Sequence, residues 1–221
     1  HKCKVPFPSM TTEADGPKLL KIDTSDGIKL EAEINSVNSA QAFAVISHPH
    51  PLYGGNFQNS IVETLFRELP KSGIATLRYN FRGVGQSEGS YGEGVAEQLD
   101  TIAAFDYAQL AELACPLISV GYSFGADVSF AADHSLLKAW VGIAPPLSLV
   151  DPAQMKAGSD DRSVFLFVPE QDQYRPPTEV KLMTSDWRST QIQVIPGANH
   201  FLANSSSEVV ELVKNSILSI C

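Results

Sequence analysis

The pattern Gly-x-Ser-x-Gly occurs twice, as Gly85-Gln86-Ser87-Glu88-Gly89 and as Gly121-Tyr122-Ser123-Phe124-Gly125. Glycines at this spacing permit a tight strand-to-helix turn that lifts the serine hydroxyl clear of its neighbours, where it can act as a nucleophile. Ser123 follows the apolar run Leu-Ile-Ser-Val and precedes Gly-Ala-Asp-Val-Ser-Phe-Ala-Ala, a stretch of small residues compatible with a helix. Strand, turn and helix in that order expose the hydroxyl and aim the first helical N–H groups at a developing negative charge. Ser87 lies in Phe-Arg-Gly-Val-Gly-Gln-Ser-Glu-Gly-Ser-Tyr-Gly-Glu-Gly, which has no strand directly before the serine and no helical pattern directly after it. Ser123 is the candidate nucleophile, and Ser87 is read as part of a glycine-rich loop.

A hydroxyl is a weak nucleophile at neutral pH and needs a base within hydrogen-bond reach. Of the histidines, His1 is terminal, His134 closes the segment after Ser123, and His48 and His50 share a loop after an earlier apolar run. His200 stands in Val-Ile-Pro-Gly-Ala-Asn-His-Phe-Leu, just past the last strand-like run, with Gly197 in the turn that presents it. His200 is the candidate base. A carboxylate at another strand end should orient its ring. Asp172, in Phe-Val-Pro-Glu-Gln-Asp-Gln-Tyr, fits that place; Glu170 is close by, and Asp151, after the preceding run, is the rival.

These residues must be positioned by a scaffold that the rest of the pattern describes. Lys-Leu-Leu-Lys-Ile-Asp-Thr-Ser-Asp-Gly-Ile-Lys-Leu-Glu-Ala-Glu-Ile-Asn alternates apolar and polar residues around Asp26-Gly27, as a β-hairpin does. Six short apolar runs follow, starting near Phe43, Ile74, Pro116, Lys138, Ser163 and Thr190, each ending near Gly, Pro or Asn. Such runs suit strands covered on both faces of a parallel sheet. Between them Ile61, Val62, Leu65, Phe66 and Leu69 recur at helical spacing, as do Val95, Leu99, Ile102 and Ala103, and later Val209, Val210, Val213, Ile217 and Leu218. The expected fold is α/β: a mostly parallel twisted sheet with helices on both faces and an antiparallel N-terminal hairpin. One domain over residues 1–221 is expected, with 1–18 as an extended leading segment. Between Pro146 and Ser163 there is room for one short helix at most, so no cap domain is expected.

A chain of 221 residues, 43% hydrophobic, with a net charge of -9, suits one globular domain and lacks the basic face that nucleic acid or an anionic membrane would require. No apolar run approaches the roughly eighteen residues of a membrane helix. Cys3, Cys115 and Cys221 make neither a metal-ligand pair nor a disulfide framework; Cys115 reads as core, and the terminal Cys3 and Cys221 are candidates to pair. The opening His-Lys-Cys-Lys-Val-Pro-Phe-Pro-Ser is not the apolar stretch of a secretion signal, and the cytoplasm is the expected location.

Taken together, His-Pro-His-Pro-Leu-Tyr-Gly-Gly-Asn, Asn-Phe-Arg-Gly-Val-Gly-Gln-Ser-Glu-Gly, Gly-Tyr-Ser-Phe-Gly-Ala, Pro-Glu-Gln-Asp-Gln-Tyr-Arg-Pro-Pro and Pro-Gly-Ala-Asn-His-Phe span residues 45–202 in the order Ser, Asp, His. In these pieces the chain resembles the α/β-hydrolase superfamily, in particular small lidless members akin to dienelactone hydrolases and carboxylesterases. The resemblance implies a carboxylesterase-type serine hydrolase with a Ser123, Asp172 and His200 triad and the Phe124 N–H as one oxyanion donor. The second donor falls in the loop after the third strand. Where relatives carry His-Gly-x this chain has Pro49, with Pro51 following; neither can donate, which leaves His50 N–H, with Leu52 or Tyr53 behind it. His48, Arg82 and the loop around Ser87 match positions with structural roles. The implied partner is a small-molecule ester, a second copy of the chain is a candidate partner, and no metal or organic cofactor is implied.

Overall fold

Residues 16–111 and 115–221 are described in this computed structural model. The hairpin β1 (Lys18–Asp23) and β2 (Lys29–Asn35) turns at Gly27, whose φ of +87° suits glycine. Thr24 Oγ1 closes the turn by accepting the Ile28 N–H at 2.9 Å. The later strands are β3 (Ala42–Ser47), β4 (Ile74–Tyr79), β5 (Leu117–Tyr122), β6 (Leu137–Ile143), β7 (Ser163–Gln171) and β8 (Thr190–Asn199). They form one eight-stranded sheet in the order β1-β2-β4-β3-β5-β6-β7-β8; β3 to β8 run parallel, and β2 pairs antiparallel to β1 and β4.

Helices cover both faces. On one face α1 (Ser60–Glu68) and α6 (Ser206–Leu218) bury the expected stripes, Ile61, Val62, Leu65 and Phe66 against Val209, Val210, Val213 and Ile217. The Asn59 side chain caps α1 by accepting the Ile61 N–H at 3.1 Å, which satisfies one of the orphan donors of the first turn. On the other face lie α2 (Glu97–Ala111), α3 (Phe124–Ala131) and α5 (Pro177–Met183).

Three local readings are corrected. β3, β4 and β5 are buried along their whole length, but β8 is an edge strand, with Ile192 and Val194 more than a third exposed. An edge run and a central run share one apolar pattern, and only the neighbour on the far side distinguishes them. Val95 is exposed and precedes α2, whose first turn instead buries Glu97, Asp100 and Thr101. Cys115 is half-buried, its thiol donating to the Ala40 carbonyl at 2.9 Å. Residues 1–15 of the expected leading segment, and Cys3 of the Cys3–Cys221 pairing, lie outside the described residues, and Lys18 already belongs to β1. After β6 the chain forms two single turns, Pro152–Gln154 and α4 (Lys156–Ser159), with no cap domain.

Candidate active site

The chain leaves β3 to form β4 on one side, then returns across β3 to form β5 on the other. At such a switch point the loops beyond the two central strands diverge and leave a crevice. Ser123 follows β5 and His50 follows β3, so the order of the strands sets these loops side by side.

Ser123 has φ +53° and ψ −121°, backbone that a residue with a Cβ adopts only under strain. The close packing around it requires the flanking glycines. A Cβ at Gly121 would lie 2.4 Å from the Gly125 carbonyl oxygen, and a Cβ at Gly125 would lie 2.4 Å from the Ser47 carbonyl oxygen. The second contact seats the turn directly beneath the end of β3. Phe124 opens α3, so its N–H has no intrahelical acceptor.

Asp172 and His200 are brought together by register. Gln171 of β7 pairs with Asn199 of β8, so the next residue of each strand emerges beside the other. His200 Nδ1 and Asp172 Oδ2 are 2.8 Å apart, while Asp172 Oδ1 accepts the Tyr174 and Arg175 N–H groups at 2.8 and 3.0 Å. β8 lies three strands from β5, about 14 Å at ordinary strand spacing, so the loop carrying His200 must fold back over the strand ends. Gly197, with φ +66°, lies in the irregular stretch of β8 between the pairings of Ile195 and Asn199, where the strand bends. The phenol of Tyr122, beside the elbow, donates to the His200 carbonyl at 2.8 Å and anchors the returning loop. His200 Nε2 then reaches Ser123 Oγ at 2.9 Å. All three residues are buried to 6% exposure or less.

The rival assignments lead elsewhere. Asp151 is exposed and caps the turn at Pro152 by accepting the Ala153 N–H at 3.0 Å. Glu170 accepts the Gly197 N–H at 2.7 Å, which steadies the same bend without touching the imidazole. Ser87 Oγ donates to the Asn80 carbonyl at 2.7 Å and accepts the Glu31 N–H at 2.9 Å, cross-linking its loop to β2 and the end of β4. His134 sits 3.3 Å from Asp106.

The His50 loop is a second tightly determined element. The His50 imidazole accepts the Leu52 N–H at 3.2 Å, and its carbonyl accepts from Tyr53 at 3.1 Å and Gly55 at 3.0 Å. Leu52 and Tyr53 are thereby committed, leaving His50 as the uncommitted donor among the three. Burial holds the His50 ring below its ordinary pKa, and a neutral ring is what accepting an N–H at Nδ1 requires. His50 packs against Tyr53, Tyr91 and Phe124 at ring-centroid distances of 4.8, 5.3 and 4.8 Å.

Two further groups hold the surroundings. His48 donates from Nδ1 to the Pro49 carbonyl at 2.6 Å and accepts the Phe81 N–H at Nε2 at 3.1 Å, joining the ends of β3 and β4; complete burial lowers its pKa to about 4. Arg82 pairs with buried Asp100 at 2.7 Å and with Asp26 at 2.9 Å. The carboxylates on α2 escaped the sequence reading because their helix face is polar. Glu97 accepts the Gly92 and Gly94 N–H groups at 2.7 and 2.9 Å, and Asp100 neutralises Arg82. A groove of about 670 Å³ lined by Glu31, Glu33, Glu63 and Arg78 contains none of Ser123, Asp172 and His200. Arg78 is there paired to Glu33 and Glu63, so the groove reads as a paired charge cluster rather than as the reaction site. Among the described residues no group of three or more His, Cys, Asp or Glu side chains is placed to hold a metal ion, and no helix is long and apolar enough to cross a membrane.

No family model matches the chain. Among curated proteins it is 27% identical over 203 residues to the uncharacterised protein RP471 of Rickettsia prowazekii, covering 87% of this chain and 85% of that one. Among solved structures an α/β serine hydrolase homologue from Coxiella burnetii is 29% identical, covering 96% of this chain and 100% of its own, with a TM-score of 0.81. This chain is an α/β hydrolase by fold. The α/β hydrolase XC6422 of Xanthomonas campestris, described as a serine hydrolase without a lid, superposes at a TM-score of 0.80 with 24% identity over 98% of this chain and 97% of that one. Within the hydrolase fold the lid, where there is one, is an insertion over the strand ends, and after β6 this chain has only two single turns.

Proposed function

We propose that this α/β hydrolase cleaves short-chain carboxylic esters through an acyl-enzyme, with Ser123 as nucleophile, His200 as general base and acid, and Asp172 as the group that orients His200. The observation that supports it most directly is the unbroken line Ser123–His200–Asp172, at 2.9 and 2.8 Å, ending on a strained serine. Ser123 Oγ attacks the ester carbonyl while its proton passes to His200 Nε2, and Asp172 stabilises the imidazolium that forms. The oxyanion takes hydrogen bonds from the N–H groups of Phe124 and His50. As the carbon–oxygen bond breaks, His200 returns the proton to the departing alkoxide. Water repeats the sequence on the acyl-enzyme, releasing the acid and restoring Ser123. Apart from the ester and the hydrolytic water, all the groups in this scheme are protein groups.

Short acyl chains follow from the lack of a cap insertion after β6. Each methylene removed from water contributes about 0.8 kcal/mol, and a chain that stays in solvent gains none of it. The test is kcat/KM along p-nitrophenyl esters from acetyl to dodecanoyl, with the butyryl thioester and anilide for comparison. Activity should peak between acetyl and about hexanoyl, and Ser123→Ala should lose at least about a thousandfold. Failure of a fluorophosphonate to label Ser123 in folded protein, together with no ester turnover, would overturn the proposal. A steady rise to dodecanoyl would overturn the short-chain part alone.

A further inference from the structure

His200 is covered by aromatic rings whose outer surfaces remain open to solvent. Its inner side faces Tyr122, with ring centroids 6.1 Å apart. On the outer side Tyr174 stands edge-to-face at 4.6 Å and Phe201 at 5.8 Å, and these two rings meet each other at 6.4 Å and 85°. Together they leave His200 only 6% exposed, yet Tyr174 is 57% and Phe201 59% exposed. Two large rings thus stand against a candidate general acid, each with more than half its surface in water.

The backbone that carries them is tied down. The Tyr174 N–H binds Asp172, and the Phe201 N–H donates to Asn199 Oδ1 at 3.1 Å. Arg175, next to Tyr174, donates from Nε to the Pro146 carbonyl at 2.7 Å, tying this loop to the one after β6. The loop that carries Tyr174 is thus joined both to Asp172 and to the segment after β6.

Reaction geometry says which part of an ester meets these rings. In the tetrahedral intermediate one oxygen lies on the Phe124 and His50 N–H groups, and the leaving oxygen must come within about 3 Å of His200 Nε2 to receive its proton. The first atoms beyond that oxygen therefore lie within a few ångströms of whatever rings surround the imidazole. On this basis, which rests on the proposed hydrolase reading, we propose that Tyr174 and Phe201 form the subsite for the alcohol half of the ester and favour flat aromatic alcohols over small alkyl ones. Offset or edge-to-face contact with a phenyl group is the interaction such a pair of rings offers. The acyl half points away, toward the side bounded by His50, Tyr53 and Tyr91.

The test compares ethyl butyrate with benzyl butyrate, which share an acyl group and differ in the alcohol, and ethyl butyrate with ethyl phenylacetate, in which the aromatic group moves to the acyl side. The wild-type enzyme should prefer benzyl to ethyl butyrate by roughly tenfold in kcat/KM, carried by KM. Tyr174→Ala and Phe201→Ala should each bring that ratio toward one while leaving the ratio of ethyl phenylacetate to ethyl butyrate in place. Fluorophosphonate labelling of Ser123 in each variant checks that the fold is retained, and should the smaller side chain unfold the loop, Tyr174→Leu replaces it. An unchanged benzyl-to-ethyl ratio, or equal falls in both ratios, overturns the alcohol subsite. Hydrolysis of none of the three esters by the wild type overturns the hydrolase reading itself.

Discussion

The strained serine makes a prediction about stability that is separate from activity. Ser123 holds φ +53° and ψ −121°, a region open to glycine and costly for a residue with a Cβ, by roughly 1–3 kcal/mol. Ser123→Ala removes the hydroxyl but keeps the Cβ, so it keeps the strain; Ser123→Gly removes both. Glycine has more freedom to lose on folding, which offsets about 0.5–1 kcal/mol of the relief. The net expectation is that Ser123→Gly is more stable than Ser123→Ala by about 1 kcal/mol, equivalent to a Tm about 2–4 °C higher in a domain of this size. Both variants lack the Ser123 hydroxyl and lose the same bond to His200, so the difference isolates the backbone. Urea titration of the two proteins side by side reads it, with calorimetry for Tm. A glycine variant no more stable than the alanine variant would refute the strain and, with it, the view that this turn is held in place by packing around the elbow.

Asp172→Asn should lower kcat by about four orders of magnitude, because an amide in that place can hold the imidazole in the wrong tautomer, whereas Asp151→Asn should stay within about threefold; comparable losses at the two positions in p-nitrophenyl butyrate assays would remove Asp172 from its role. His50→Asn keeps a side-chain acceptor for the Leu52 N–H and His50→Ala does not, so the asparagine variant should retain at least about tenfold more kcat, with KM the smaller effect. Equal losses would mean that the cap does not hold the His50 loop in the way the proposed oxyanion site needs. His48 supplies the pH dependence of stability. Burial lowers its pKa from 6.5 to about 4, so between those values the unfolded chain binds a proton that the folded protein refuses. Stability from this group is fully present above pH 6.5 and is lost as pH falls toward 4, by about 3 kcal/mol in all. The buried Asp100 and Asp127 carboxyls, raised to about 6 chiefly by burial, act in the opposite direction but are common to wild type and variant. Wild-type stability should therefore fall more steeply than that of His48→Gln between pH 6.5 and 4, and parallel curves would be contrary to a neutral buried His48.

The sequence by itself determined the kinds of element and the places where chemistry-bearing residues interrupt them. Ser123, Asp172 and His200 each follow an apolar run that becomes a strand, and side-chain period and turn residues are local properties that a sequence displays directly. The structural role of Ser87 was legible for the same reason, since no strand or helix frames it; its partners, Asn80 and Glu31, were not. Tertiary structure alone decided adjacency. The strand order β4-β3-β5 puts the His50 loop beside the elbow, and the pairing of Gln171 with Asn199 sets Asp172 against His200. Those pairings depend on how whole faces pack, and apolar runs are interchangeable until they do. The same indifference hid the exposed edge of β8, the buried carboxylates of α2 and the rings of Tyr174 and Phe201 around the imidazole. Each is defined by what stands across from it, and a sequence records only what stands before and after.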